Sequence, residues 1–155
     1  MRRCDYEGYY ADDFKFFEGR HPSSKLIPGG CAEEVGGRIT GWDRSSYGSY
    51  HVGGMSIAWK ATLKPENSGQ HLFWTRCNDA CHVLITRPGG DRVTVVNNGG
   101  THSITDRHGR IFLEKGVEYQ LDVYYGNHSG YREFQVMYQD PTMTEPSKSF
   151  QSVLV

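Results

Sequence analysis

Val117-Glu118-Tyr119-Gln120-Leu121-Asp122-Val123-Tyr124-Tyr125, followed by Phe134, Val136 and Tyr138, is the stretch that decides the fold. Val117, Tyr119, Leu121, Val123 and Tyr125 occupy every second position, which puts them on one face of an extended chain. The run predicts two antiparallel strands joined by a loop. Working outward, Ile57, Trp59, Ala61 and Leu63 alternate in the same way and stop at the turn formers Lys64-Pro65-Glu66-Asn67-Ser68-Gly69. Leu72-Phe73-Trp74 and Val83-Leu84-Ile85 read as further strands, with Trp59 and Trp74 assigned to the core. Arg87-Pro88-Gly89-Gly90-Asp91 leads tightly into Val93-Thr94-Val95-Val96, which Asn97-Asn98-Gly99-Gly100 closes. Before Gly54, aromatic clusters and glycine pairs predict mostly loop and short strands. No helical period lasts beyond a turn or two and no segment repeats, so the chain is expected to be an all-β, antiparallel β-sandwich or barrel. No linker interrupts it, and residues 1–155 are expected to form a single domain.

Composition narrows the functional classes. The 155 residues carry 17 Lys+Arg against 18 Asp+Glu, a formal charge of -1. A near-neutral chain without a basic cluster is not expected to bind nucleic acid. Its longest apolar runs are strand-sized, well short of the ~18 residues of a spanning helix, so no membrane insertion is expected. Glycine (19) and the aromatics (10 Tyr, 7 Phe, 3 Trp) are abundant, as in strands joined by glycine turns. Met1-Arg2-Arg3 lacks an apolar leader, which implies a signal peptide already removed or an excised domain.

Cys4, Cys31, Cys77 and Cys81 allow three disulfide pairings, or reduced thiols. In one extended strand Cys77 and Cys81 would lie about 13 Å apart, too far to bridge, so that pairing needs a sharp reversal at Asn78-Asp79-Ala80. Cross-pairing of the two ends is the alternative. Cys77-x3-Cys81-His82 also suggests zinc, but no second short-spaced pair accompanies it.

Four segments, taken together and in order, carry a family resemblance: Glu7-Gly8-Tyr9-Tyr10, Ser56-Ile57-Ala58-Trp59-Lys60-Ala61-Thr62-Leu63-Lys64-Pro65, Ser68-Gly69-Gln70-His71-Leu72-Phe73, and Leu113-Glu114-Lys115-Gly116-Val117-Glu118-Tyr119. They resemble the PA-fourteen domain family over residues 6 to 155. This β-sandwich module occurs in anthrax protective antigen, fungal flocculins and epithelial adhesins, bacterial adhesins and some glycosidases. The resemblance implies a PA-fourteen-like antiparallel β-sandwich and a calcium-dependent carbohydrate-binding module, or lectin, that recognises vicinal sugar hydroxyls. Such members serve in cell adhesion or glycan recognition, and the implied location is secreted or on the extracellular surface.

The family's lectins place two aspartates joined by a cis peptide after the strand that follows the Ser-Gly turn. Here that place reads Asn78-Asp79-Ala80, with asparagine for the first aspartate and alanine for the usual glycine; Tyr138 replaces the family's last-strand tryptophan. The lectins' calcium asparagine, with carbonyl ligands two and four residues on, matches Asn127, Ser129 and Tyr131. The implied calcium set is thus Asn78, Asp79, Asn127, Ser129 and Tyr131. Asp79 also contacts the sugar, and His128, Tyr131 and Arg132 tune its identity. Calcium's taste for six to eight oxygens in irregular geometry fits those donors, and one carboxylate fewer implies weaker binding. Trp42, Tyr47 and Tyr50 lie in a Gly/Ser-rich stretch where exposed aromatics favour a ligand, and Trp42 joins the expected sugar contacts.

Each candidate has a plainer reading. Asn78-Asp79 is also a common Asx turn, and Asn127-His128-Ser129 is a glycosylation sequon. A protein-interaction domain without a metal site is therefore the alternative function, with a protein partner in place of the glycan. His102 to His108 reads as a solvated turn, and Asp12-Asp13 and Glu33-Glu34 as surface charge. No nucleophile elbow or metalloprotease helix is present, so no enzyme is expected.

Overall fold

Alternation becomes two antiparallel sheets in the computed structural model, which describes residues 1–19, 25–34, 37, 39 and 54–155. The strands are β1 (Arg2–Glu7), β2 (Lys25–Glu33), β3 (Met55–Leu63), β4 (Gly69–Asn78), β5 (Ala80–Thr86), β6 (Arg92–Asn98), β7 (Thr105–Leu113), β8 (Tyr119–Asn127) and β9 (Glu133–Gln139), with one 3-10 turn at Phe14–Glu18. One sheet runs β2-β1-β3-β8-β5-β6 and the other β7-β4-β9, with every pairing antiparallel. This is the expected β-sandwich.

The expected pairing of the two C-terminal strands is corrected. β8 lies between β3 and β5, whereas β9 pairs with β4 in the opposite sheet. An alternating run shows which residues face the core, and two such runs suit a hairpin or the two walls of a sandwich equally well. Here they are walls. Tyr125 of β8 and Phe134 of β9 stack across the core with ring centroids 4.9 Å apart.

The core between the sheets contains Ile57, Trp59, Phe73, Val83, Val123 and Val136, each at most 1% exposed. Trp59 is core, as expected. Trp74 is not: it stands half-buried on the outer face of the small sheet while Phe73 turns inward. Three consecutive apolar residues in a strand cannot share one face, and the triplet alone does not say which is outside. The stretch expected to be a solvated turn is largely strand, because β7 begins at Thr105. Gly109 of that strand faces β6 so closely that a Cβ there would overlap the Val95 carbonyl oxygen. Side-chain-free backbone thus closes the sandwich at β6 and β7.

β3 and β8 are covered on both faces. Tyr10, Phe16, Phe17, Ala58, Ala80, Leu84 and Tyr124 form a second cluster outside the large sheet, and Phe17 stacks on Tyr124 at 4.3 Å. The N-terminal aromatics are therefore a lid. Asp13 caps their 3-10 turn by accepting from the Lys15 N–H. Truncating Phe16, which is fully buried, should cost about 3–5 kcal/mol. Cys4 pairs with Cys31 between β1 and β2, and Cys77 with Cys81 between β4 and β5, which resolves the pairing.

Candidate functional site

β4 ends at Asn78 in the small sheet and β5 begins at Ala80 in the large one, so Asn78-Asp79 is the step by which the chain changes sheets. The peptide between them is cis. Cys77 and Cys81, with Cα atoms 6.2 Å apart, fasten the two sides of that step. The sharp reversal that the bridge requires is present. Both strands then carry their neighbours to the same corner, since Asn78 is in register with Glu133 at the start of β9 and Ala80 with Gly126 near the end of β8. The loop 128–132 is consequently anchored at both ends beside the dyad.

Asp79 holds two loops. Its Oδ1 accepts the His102 N–H at 3.0 Å and its Oδ2 accepts the His128 N–H at 2.8 Å, tying the β6–β7 and β8–β9 connections to one carboxylate. The residue is only 3% exposed. Charge-assisted bonds of this kind are the stronger class, and each carboxylate oxygen keeps further lone-pair capacity. Asp12 supports the same region from the N-terminal segment by accepting the Gly100 N–H at 3.0 Å.

Asn127 is fully buried, and its Nδ2 donates to the Asn78 and Tyr131 carbonyls, both at 2.9 Å. Two carbonyl acceptors fix which end of the amide faces them, because Oδ1 in that place would meet only lone pairs. Oδ1 is left buried without a hydrogen-bond partner. A buried orphan acceptor is costly unless something else satisfies it. The Tyr125 hydroxyl also donates to the Asn78 carbonyl, at 2.7 Å, and burial raises it far above its usual range, so it stays a neutral donor. Close packing completes the corner: at Gly54, with φ of +93°, a Cβ would lie 2.6 Å from the Asn127 carbonyl oxygen, and the Tyr9 ring meets His128 edge-on at 5.6 Å.

Asn78, Asp79 and Asn127 are therefore brought together, with the Tyr131 carbonyl among them. His128, Ser129 and Tyr131 lie on the exposed loop beside them, Tyr131 at 66% exposure, and Arg132 is half-buried at its end. Trp42, with Tyr47 and Tyr50, lies outside the described residues. The donor set is one carboxylate plus amide and backbone oxygens, which suits a hard cation such as calcium, and the orphan Asn127 Oδ1 is the atom a cation would satisfy. It does not suit zinc: the four cysteines are in disulfides, and the described residues contain no cluster of three or more His, Cys, Asp or Glu.

The plainer readings separate here. The amide that a glycan would occupy on Asn127 is buried and donates twice, so in the folded domain the sequon is closed. Asp106 pairs with Arg76, and His108 lies against Trp74. Glu33 meets the N-terminal amine and Glu34 meets Arg3. The contributions of His102, Tyr125 and Tyr9 escape the sequence reading. Only Asn97-Asn98-Gly99-Gly100 signals a turn there, and nothing local places that turn against Asp79.

No curated protein matches the chain. Among solved structures, the Epithelial Adhesin 9 A domain of Candida glabrata in complex with Galβ1-4GlcNAc superposes with a TM-score of 0.71 at 13% identity, covering 99% of this chain and 87% of that one. The Epithelial Adhesin 6 A domain of Candida glabrata, in complex with Galβ1-3GlcNAc, gives 0.72 at 12% identity, covering 99% and 84%. The PA14 domain of the antifreeze protein MpAFP gives 0.64 at 14% identity, covering 99% and 88%. At such identities the likeness is one of fold. The PA14 domain family matches over residues 11–152, most of the chain, and the protein belongs to that family.

Proposed function

We propose that residues 1–155 act as one calcium-dependent carbohydrate-binding domain, a lectin that binds without breaking bonds. The observation that carries this reading is the buried, unpartnered Oδ1 of Asn127, whose Nδ2 donates to the Asn78 carbonyl and whose neighbour His128 donates its N–H to Asp79. Asn78, Asp79 and Asn127 would hold the ion through side-chain oxygens, with the Ser129 and Tyr131 carbonyls completing its shell. Bound calcium would supply open coordination positions for two vicinal hydroxyls. The chain's own residues do the rest: Asp79 accepts a hydrogen bond from a sugar hydroxyl, His128, Tyr131 and Arg132 choose the sugar, and Trp42, which lies outside the described residues, is a further proposed sugar contact. One carboxylate puts calcium affinity in the weak, millimolar class. Two disulfides suit an extracellular setting, and the glycan would belong to a cell surface or a glycoprotein.

The test is a glycan array probed with millimolar calcium and again with chelator. Galactose-terminated ligands are the first probes, because the adhesin relatives were solved with them. Binding only with calcium is expected. Binding indifferent to chelator would keep the lectin and remove the metal.

A second reading is favoured by one observation: both Asp79 oxygens already accept backbone N–H groups, which suffices for a purely structural brace. The domain would then engage a protein partner. A thermal melt separates the two, since 10 mM calcium against a dissociation constant of about 1 mM should stabilise by roughly 1.4 kcal/mol, a few degrees. No shift supports the brace.

A further inference from the structure

The outer face of the small sheet leads directly away from the dyad. β4 sends His71, Phe73, Thr75 and Cys77 inward, each at most 2% exposed, which leaves Leu72, Trp74, Arg76 and Asn78 in a row on the other side. Trp74 therefore stands four residues from Asn78, about 13 Å along the strand. Its cross-strand neighbours are His108 on β7 and Met137 on β9. At the far end of the row Phe112, in register with Gln70, is 51% exposed.

We infer that this face is the continuation of the glycan site: a ligand whose terminal sugar sits at Asn78-Asp79 runs along β4 over Arg76 and stacks a further sugar on Trp74. The inference rests on the lectin reading and names its ligand class as an oligosaccharide.

Three observations carry it. The track is continuous, because Asn78 belongs both to the dyad and to the outward row of β4. Its chemistry alternates as a glycan's does: an indole and a methionine offer an apolar platform for C–H faces, and Arg76 with its Asp106 partner, 3.8 Å away, offers donors and acceptors for hydroxyls between platform and dyad. Its charge is balanced as well, with Arg76 and Arg110 set against Asp106 and Glu133, which fits a neutral polyhydroxyl chain better than a charged partner.

The experiment titrates the protein, at millimolar calcium, with galactose-, glucose- and mannose-terminated ligands, each as monosaccharide, disaccharide and tetrasaccharide. Trp74→Leu, Trp74→Tyr and Arg76→Ala are run beside it, with urea unfolding to verify that each folds. The expected result is a tetrasaccharide bound at least tenfold more tightly than its own terminal monosaccharide. Trp74→Leu should abolish that gain while monosaccharide binding and the calcium-induced thermal shift persist. Trp74→Tyr, which restores a stacking ring, should recover most of it, and Arg76→Ala should lose part. Calcium-dependent binding with equal affinity at every length, or a gain untouched in Trp74→Leu, overturns the track and leaves the lectin standing. Absence of binding to any ligand overturns both. A concentration-dependent dimer in sedimentation that Trp74→Leu disperses would assign the face to a second copy and overturn the track.

Discussion

Asn127 Nδ2 donates to the Asn78 carbonyl oxygen at 2.9 Å, joining the end of β8 to the end of β4 across 49 residues of sequence. Through this bond the asparagine that closes the β8–β9 loop sits against the dyad in a defined orientation, and its own Oδ1 is buried without a hydrogen-bond partner. The site and the fold share the same bonds there, so changes at the corner are expected to register in stability as well as in binding.

Asp79→Ala removes the acceptor of two backbone N–H groups in a buried place. It should destabilise by about 3 kcal/mol in urea unfolding, and it should also abolish the calcium-induced thermal shift. A variant that melts like the original would show that the His102 and His128 amides find other acceptors. A variant that is destabilised yet keeps the calcium shift would remove Asp79 from the metal site.

Folded protein secreted from a glycosylating host should carry no glycan at Asn127-His128-Ser129, because the amide nitrogen is buried and donates twice, and a chain glycosylated there before folding could not close this corner. Intact mass measurement is decisive. A glycan on folded protein would mean that this corner opens.

The two disulfides should contribute unequally. Cys4 and Cys31 are 27 residues apart in sequence and Cys77 and Cys81 only 4, so loop-closure entropy gives about 3.5 kcal/mol for the first and about 2 kcal/mol for the second. Paired Cys→Ser variants in urea would show the order. In function the ranking should reverse, with loss of Cys77–Cys81 weakening calcium and sugar binding more, because that bridge fastens the dyad.

Acid should destabilise the domain through His82. Burial lowers its pKa below the ordinary 6.5, against the opposing pull of Asp12, and its Nδ1 lies 2.6 Å from the Tyr10 hydroxyl inside the aromatic lid. The unfolded chain thus binds a proton more readily than the folded one, so stability is full above about pH 6.5 and falls as the pH drops from there toward the folded value. His71, also lowered by burial, adds to the same slope. Melting temperatures at pH 7, 6 and 5 should decline, and the decline should be shallower in His82→Gln. A flat profile would contradict the assignment.

Sequence by itself determined the strands whose core-facing apolar residues recur at every second position. In β3 and β8, inward residues such as Ile57, Trp59, Leu121 and Val123 announce the core by period alone, because a pleated chain has only two sides. β1 was harder to read: its inward residues are Arg3 and Asp5, an ion pair 2.9 Å apart with both side chains 2% exposed, and Arg3 lies over the Trp59 ring. Polar letters there conceal a buried strand. β7 was hidden for the opposite reason, since Asp106, His108 and Arg110 face water and only Ile111 and Leu113 are buried. Sequence also supplied Asn78, Asp79 and Asn127 as candidates, through residue type and order.

Tertiary structure alone decided which strands pair, that β8 and β9 belong to opposite walls, that Trp74 faces out, and that the β6–β7 loop reaches Asp79. Each of these depends on contacts between segments far apart in the chain. Local periodicity records only how a residue divides its surroundings between core and solvent, and it carries no address for the partner on the other side.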